Sequence, residues 1–318
     1  MRILVVLPVK DRHKERFQKA APGHELVYCL ASEVTPDLAA TADVILGNIP
    51  VSMLSGCSHL KWIQLNNAGT EGFCEPGALP EGTVLTNATG AYGTAISEHM
   101  IAMVFMLHKH LHEYYMQQQS CQWQRLGPMT VVDQSTTLVL GLGDIGTAFA
   151  KKMHAMGSYI IGIRRSKRPK PDFVGEQYTM DALAQVLPRA DIVAMSLPGY
   201  DETRHIINEE MLRRMKPSAV LVNVGRGMSV DTMALCRALN EGRLGGACLD
   251  VTDPEPLPPD HPLWKARNAI ITPHASGGFA LDVTLEKILD LCAQNLERFI
   301  NGQPLVNVID MRTGYVKR

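Results

Sequence analysis

Residues 138–146 read Leu-Val-Leu-Gly-Leu-Gly-Asp-Ile-Gly, an apolar run that breaks into the spacing GxGxxG. Such a run predicts a buried strand, a tight turn and a helix that starts at once. Gly141 allows the turn, Gly143 lets a pyrophosphate approach the backbone, and Gly146 lets helix and strand pack closely. The amides at the helix start face the phosphates, where the helix dipole favours negative charge. Leu142, Asp144 and Ile145 lie in this turn and count with the glycines as cofactor-binding residues. Glycine-rich turns are common, so the weight lies in the strand before and the helix after. The alternative is an empty strand–turn–helix.

The next strand should report on the cofactor. After a helix from Thr147 to about Met156 comes a second apolar run, 159–163. An acidic residue about 20 positions beyond the glycines ordinarily holds the ribose hydroxyls of NAD. This chain has Arg164-Arg165-Ser166-Lys167-Arg168 there instead. A carboxylate would repel a 2′-phosphate, whereas a guanidinium grips it through paired hydrogen bonds. Arg164 stands where the acid would be, with Arg165 and Ser166 as helpers. The expectation is NADP(H) over NAD(H), the alternative a solvated basic turn.

Composition narrows the class. The 318 residues suffice for one large domain or two ordinary ones, and 20% charged residues fit a globular chain. A net charge of −1 gives no bulk attraction to nucleic acid or to an anionic membrane. The start of the chain reads as a strand, 3–7, without a signal-peptide layout, and no apolar run nears the roughly 20 residues of a membrane span. The seven cysteines are scattered with no CxxC pair, which fits reduced thiols and no metal site. A cytoplasmic location is the expectation.

Short apolar strands alternate with helical patterns, the signature of parallel α/β sheets. Strands are predicted at 3–7, 26–30, 43–46, 61–65 and 83–86, then at 137–140, 159–163, 191–195, 219–223, 246–250 and 269–271. Long helices are predicted from Ser97 to about Tyr115 and from about Leu281 to Ile300. Because the dinucleotide unit begins near residue 137, it must be inserted into the chain. The expected domains are 1–97 with 283–318, carrying the substrate, and an inserted dinucleotide-binding domain, 98–282. Both are Rossmann-like, one flavodoxin-like, with an active-site cleft expected between them.

Three later segments end in elements that could supply catalytic groups. Val220-Leu221-Val222-Asn223-Val224-Gly225-Arg226-Gly227 is a strand running into a glycine-flanked arginine whose fork matches a carboxylate. Asp250 ends the strand of the second segment, where it could accept from a nicotinamide carboxamide, and Glu255 follows in a proline-rich loop. The third, Thr272-Pro273-His274-Ala275-Ser276-Gly277, puts His274 in the loop after the last strand. A lone histidine is more often packed or on the surface, so the case for His274 depends on Arg226 and Glu255 in equivalent loops.

Taken in order, GLGDIG, VNVGRGMSVD, GGACLDVTDPEPLPPDHPLW, TPHASG and ERFINGQPLVNVID make the chain resemble the D-isomer-specific 2-hydroxyacid dehydrogenases, including glyoxylate/hydroxypyruvate reductases. The resemblance covers nearly the whole chain. It implies that Arg226 binds the substrate carboxylate and polarises the carbonyl, with His274 the acid/base and Glu255 its partner. It implies cofactor contacts from Leu197, Pro198, Thr203, Val224, Gly225, Asp250, His274, Ser276 and Gly277. Ala68 and Gly69, in Asn67-Ala68-Gly69-Thr70, resemble the substrate loop whose amides receive the carboxylate. The segment 108–125 corresponds to a subunit interface that lends Trp123 to a neighbouring site, its alternative an exposed helix end. A homodimer acting on a small 2-keto or 2-hydroxy acid is expected.

Gly199 and Tyr200 after Leu197-Pro198, and Thr70-Glu71 after the substrate loop, depart from the common pattern and put substrate size in question. Two other readings stay open: an NAD-dependent D-2-hydroxyacid dehydrogenase such as one acting on phosphoglycerate, and a dinucleotide-sensing corepressor-like protein.

Overall fold

A computed structural model describes residues 1–70, 72–165, 168–278 and 281–317. The chain divides into two compact units, Met1–Tyr92 with Phe279–Arg318, and Gly93–Gly278.

The first unit opens with β1 (Arg2–Val5), α1 (Asp11–Ala20), β2 (Glu25–Tyr28), α2 (Pro36–Ala40), β3 (Val44–Leu46), β4 (Trp62–Gln64) and β5 (Val84–Thr86). The five strands are parallel in the order β2-β1-β3-β4-β5, the flavodoxin-like arrangement. Ile45, Ile63, Leu65 and Leu85 sit in its buried core.

The second unit carries α3 (Gly93–His108), α4 (Leu111–Gln119), β6 (Thr136–Leu140), α5 (Asp144–Ala155), β7 (Tyr159–Ile163), β8 (Glu176–Tyr178), α6 (Leu183–Val186), β9 (Ile192–Met195), α7 (Glu209–Arg214), β10 (Val220–Asn223), α8 (Thr232–Asn240), β11 (Gly246–Leu249) and β12 (Ala269–Ile271). Its parallel order, β12-β11-β10-β9-β6-β7-β8, is the dinucleotide-binding arrangement with one further strand. The strand order reverses between β6 and β9, and ligands of such sheets bind outside the carboxyl ends at that switch.

The chain then returns to the first unit with α9 (Asp282–Ile300) and the hairpin β13 (Ile309–Asp310) and β14 (Tyr315–Val316). A buried polar network pins α9 to the sheet. The Asn295 amide donates to Gln64 Oε1 at 2.8 Å, and Gln64 Oε1 also accepts from the Thr86 hydroxyl at 2.7 Å. Buried amides matched this way fix one register, because a slipped helix would leave each of them unsatisfied.

Three sequence expectations need correction. The helix expected over 97–115 starts at Gly93 and breaks at His110, whose φ of 52° is left-handed, so α3 and α4 are separate. β8 was not expected at all, since Glu-Gln-Tyr at a sheet edge offers no apolar run. The units divide at 92/93 and 278/279 rather than at 97/98 and 282/283. The first turn of α3 belongs with the second unit because the Gly93 amide donates to the Asp144 carboxylate at 2.9 Å.

Candidate active site

β6 ends at Leu140 and the chain turns at Gly141, with φ +95°. A β-carbon at Gly141 would lie 3.0 Å from the Ser196 carbonyl oxygen, and the Ser196 hydroxyl donates back to the Gly141 carbonyl at 2.9 Å. At Gly146 a β-carbon would fall 2.0 Å from the Gly141 oxygen, so α5 presses directly on the turn. Gly143 differs: it is exposed, and a β-carbon there would meet nothing within 4 Å. The protein's own packing leaves the backbone open at the head of α5, where no side chain caps the first amides. That open cradle fits a pyrophosphate. Leu142 faces the other way, its Cδ1 filling the space above Gly162, while Asp144 holds α3 and Ile145 is half-buried.

The Arg164 backbone amide, just past β7, donates to the Tyr178 carbonyl at 3.0 Å, so β8 holds this residue in place. Its Nε is buried without a hydrogen-bond partner among the described residues. Burial pushes the Arg164 guanidinium down from the ordinary arginine value, with a smaller contribution from Arg168. A desolvated guanidinium nitrogen lacking an acceptor is chemistry that an anion satisfies. Arg165 is exposed, and Ser166 lies outside the described residues.

The loops after β9, β10 and β11 meet around Arg226. A β-carbon at Gly225 would sit 2.4 Å from the Leu197 carbonyl oxygen, and one at Gly227 would sit 1.9 Å from that of Thr252. Only glycines permit these approaches, which clamp Arg226 between the backbones of two neighbouring loops. Asn223, 1% exposed, shapes the turn from within: Oδ1 accepts from the Gly225 amide at 3.0 Å and Nδ2 donates to the Arg226 carbonyl at 3.0 Å. The Arg226 stem passes Gly199, where a β-carbon would lie 3.0 Å from its Cγ. The departure at Gly199 thus gives room to the arginine. Leu197 and Val224 are buried at the strand ends. Thr203 spends its hydroxyl inside the 198–203 turn, donating toward the Pro198 and Tyr200 carbonyls and accepting from the Tyr200 amide at 3.0 Å.

His274 and Glu255 come from different loops, yet Nδ1 and Oε1 are 2.6 Å apart, both side chains partly exposed. His274 has φ 51°, left-handed backbone that a residue with a β-carbon adopts only when its surroundings impose it. Asp250, 1% exposed, supplies much of that constraint. Its carbonyl accepts from the His274 amide at 2.8 Å. Its carboxylate accepts from the Ala275 and Ser276 amides at 2.9 and 3.1 Å and from the Thr272 hydroxyl at 2.5 Å. Ser276 is buried and Gly277 half-buried beside it.

In the first unit the loop after β4 is tied down through its carbonyls. The Tyr92 hydroxyl donates to Asn66, the Ala88 amide to Asn67 at 2.8 Å, and the Asn87 amide group to Ala68 at 2.6 Å. Burial pushes the Tyr92 hydroxyl up to about 12, so it stays a donor. Anchoring carbonyls from behind is how a loop presents its amides forward, which matters for Ala68 and Gly69. Asn87, Tyr92 and Asn223 gave no catalytic signal in the sequence, since neutral amides and hydroxyls of this kind are frequent. Trp123 is fully exposed. Among the described residues no group of three or more His, Cys, Asp or Glu is arranged to hold a metal, and no helix is long and apolar enough to cross a membrane.

Residues 101–276 match the family model for the NAD binding domain of D-isomer specific 2-hydroxyacid dehydrogenases. A glyoxylate reductase of Aeropyrum pernix is 33% identical over 306 residues, which covers 93% of this chain and 89% of that protein. A crystal structure of a D-isomer specific 2-hydroxyacid dehydrogenase family protein from Aeromonas salmonicida is 30% identical, with TM-score 0.86 over 98% of this chain and 99% of that one. An NADPH-dependent glyoxylate/hydroxypyruvate reductase from Sinorhizobium meliloti, solved with NADP and sulfate, is 26% identical, with TM-score 0.81 over 99% of both chains.

Proposed function

The chain belongs to the D-isomer specific 2-hydroxyacid dehydrogenases, and on that premise we propose that it is an NADP-preferring reductase of small 2-keto acids, glyoxylate and hydroxypyruvate foremost. The observation that carries the reading is the His274–Glu255 pair, held at 2.6 Å by loops that leave the carboxyl ends of β12 and β11. The open cradle at Gly143 and the unsatisfied Nε of Arg164 support a dinucleotide with a 2′-phosphate. The relatives named for glyoxylate and hydroxypyruvate reduction support the substrate class.

The residues divide the work as follows. A nicotinamide dinucleotide held at the Gly141–Gly146 turn would supply hydride chemistry, and the protein must handle the charge that develops on the carbonyl oxygen. Glu255 accepts from Nδ1–H of His274, which leaves Nε2 as the nitrogen that gives its proton to that oxygen. In alcohol oxidation the same nitrogen takes the proton back. Arg226, its backbone fixed by Asn223 and its two glycines, brings its guanidinium to the substrate carboxylate and stabilises the oxyanion. In the first unit, the amides of Ala68 and Gly69 remain the candidate donors to a substrate carboxylate. Thr203, with its hydroxyl engaged, contributes to the cofactor site through the turn it holds.

A homodimer and a cytoplasmic setting belong to the same proposal. Leu111, Tyr115, Met116, Trp123, Met129 and Val131 leave apolar surface exposed across α4 and the segment after it, which a second copy would cover. Cys57, Cys236, Cys248 and Cys292 are buried free thiols, a state that a reducing compartment preserves.

The deciding test follows nicotinamide absorbance with NADPH and NADH against glyoxylate, hydroxypyruvate, pyruvate, phenylpyruvate and 2-ketopantoate. The reading expects fastest turnover with NADPH and one of the first two acids. NADH preference overturns the cofactor assignment, and no turnover with any acid overturns the reductase.

A further inference from the structure

His99, on α3, lies far from the catalytic loops in sequence but against them in space. Its Nε2 is 3.0 Å from the Thr272 hydroxyl and 3.9 Å from Asp250 Oδ1. The proton count along this chain of contacts is forced. A threonine hydroxyl has one hydrogen, and the 2.5 Å approach to the Asp250 carboxylate directs that hydrogen to Asp250. Toward His99 the hydroxyl is then an acceptor, so Nε2 of His99 carries a hydrogen and donates it. The order is His99 to Thr272 to Asp250, each bond polarising the next.

Asp250 is where this line meets the His274 loop. It is buried, and a buried carboxylate is tolerated only where donors converge on it. The donors are the Thr272 hydroxyl and the amides of Ala275 and Ser276, while the Asp250 carbonyl takes the His274 amide. Every residue from 272 to 276 except the proline is therefore bonded to Asp250, and His274 sits in their midst at φ 51°. Left-handed backbone at such a residue persists only when the surroundings over-determine it.

We propose that His99 and Thr272 are positioning residues: through Asp250 they hold the 272–276 turn so that the His274 imidazole stays aligned with Glu255. The inference rests on the reading of His274 as the acid/base. It adds that α3, by way of one histidine, sets the aim of a loop more than 170 positions away. Thr272 is chosen over serine or valine for two properties. Its hydroxyl is both acceptor and donor, and its β-branching restricts χ1 so that the oxygen faces one way.

The test uses the full-length protein with Thr272→Val, Thr272→Ser, His99→Leu and His99→Gln. Hydrogen exchange over 270–278 should speed up in Thr272→Val and His99→Leu and return toward the wild-type rate in Thr272→Ser and His99→Gln. In parallel, kcat for keto-acid reduction should fall about tenfold in Thr272→Val, the scale of one lost charge-assisted hydrogen bond. Affinity for NADPH, read by fluorescence quenching, should move much less. If Thr272→Val does not fold, the His99 variants decide, because that side chain is partly exposed and tolerates replacement. Unchanged exchange in the folded variants overturns the proposal. If the wild type reduces no keto acid, the function reading fails by itself, while the exchange data still decide whether this line holds the loop.

Discussion

Gly227 packs so tightly against Thr252 that a β-carbon would lie 1.9 Å from the Thr252 carbonyl oxygen. This contact ties the turn that presents Arg226 to the loop that leads to Glu255. Gly227→Ala must push two backbones apart, so it should destabilise the protein by about 3 kcal/mol or more and lower kcat/KM about a hundredfold. Gly56→Ala is the control: a β-carbon there meets nothing within 4 Å, so Tm should hardly change. Thermal unfolding and initial rates of the two variants read both effects. A Gly227→Ala enzyme as stable and active as wild type would show that the loops need no such contact.

The pairing of His274 with Glu255 at 2.6 Å separates two contributions. His274→Ala removes the proton donor and should cut kcat about 100- to 10,000-fold, with NADPH binding nearly intact. Glu255→Gln keeps an acceptor for Nδ1–H but loses the charge, so kcat should fall less, about tenfold. Stopped-flow rates and cofactor titration distinguish the two. Equal losses in both variants would mean that His274 delivers its proton only with the charge of Glu255 beside it.

The buried Nε of Arg164 predicts how the enzyme tells its cofactors apart. Arg164→Ala should raise KM for NADPH about 10- to 100-fold, the worth of a hydrogen bond to a charged group, and leave KM for NADH unchanged. A parallel rise for both cofactors would assign the arginine to the architecture of the turn. Substitution at Arg165, which is exposed, should have the smaller effect.

The exposed apolar residues of α4 and the segment after it predict assembly. Trp123→Glu with Met116→Glu should convert a dimer into a monomer of 35.0 kDa in analytical ultracentrifugation. A wild type that is already monomeric at micromolar concentration would remove the homodimer from the proposal.

What could be read from the sequence was whatever one local pattern encodes. Strands such as β6 and β10 announce themselves because both faces of a parallel sheet are covered and their cores, 138–140 and 220–222, are continuously apolar. The glycines of the dinucleotide turn and the flanks of Arg226 are legible for the same reason, a single backbone requirement each. β8 and the break at His110 are not, since a three-residue polar edge strand and a left-handed histidine carry no glycine, proline or periodic signal. The pairing of His99 with Thr272, or of Asn295 with Gln64, depends on side chains far apart in the chain meeting in the fold. Such pairs leave no trace in spacing or composition.

His108 closes α3, where a helix C-terminus would favour an imidazolium. Burial outweighs that here: it pushes the His108 imidazole down from its ordinary value, aided by Lys109 and opposed by Asp191. Its Nδ1 is buried with no hydrogen-bond partner among the described residues, which fits a neutral ring and not a charged one. The unfolded chain therefore binds a proton more readily than the native state. The stability that His108 contributes is full above its ordinary value of 6.5, declines as pH falls below it, and levels off once pH is under the lowered native value. His108→Leu removes this coupling and keeps a side chain at this buried position. The difference in unfolding free energy between variant and wild type should shift in favour of the variant on going from pH 7.5 to pH 5, measured by urea titration at each pH. A difference independent of pH would show that the imidazole is hydrated or paired in solution.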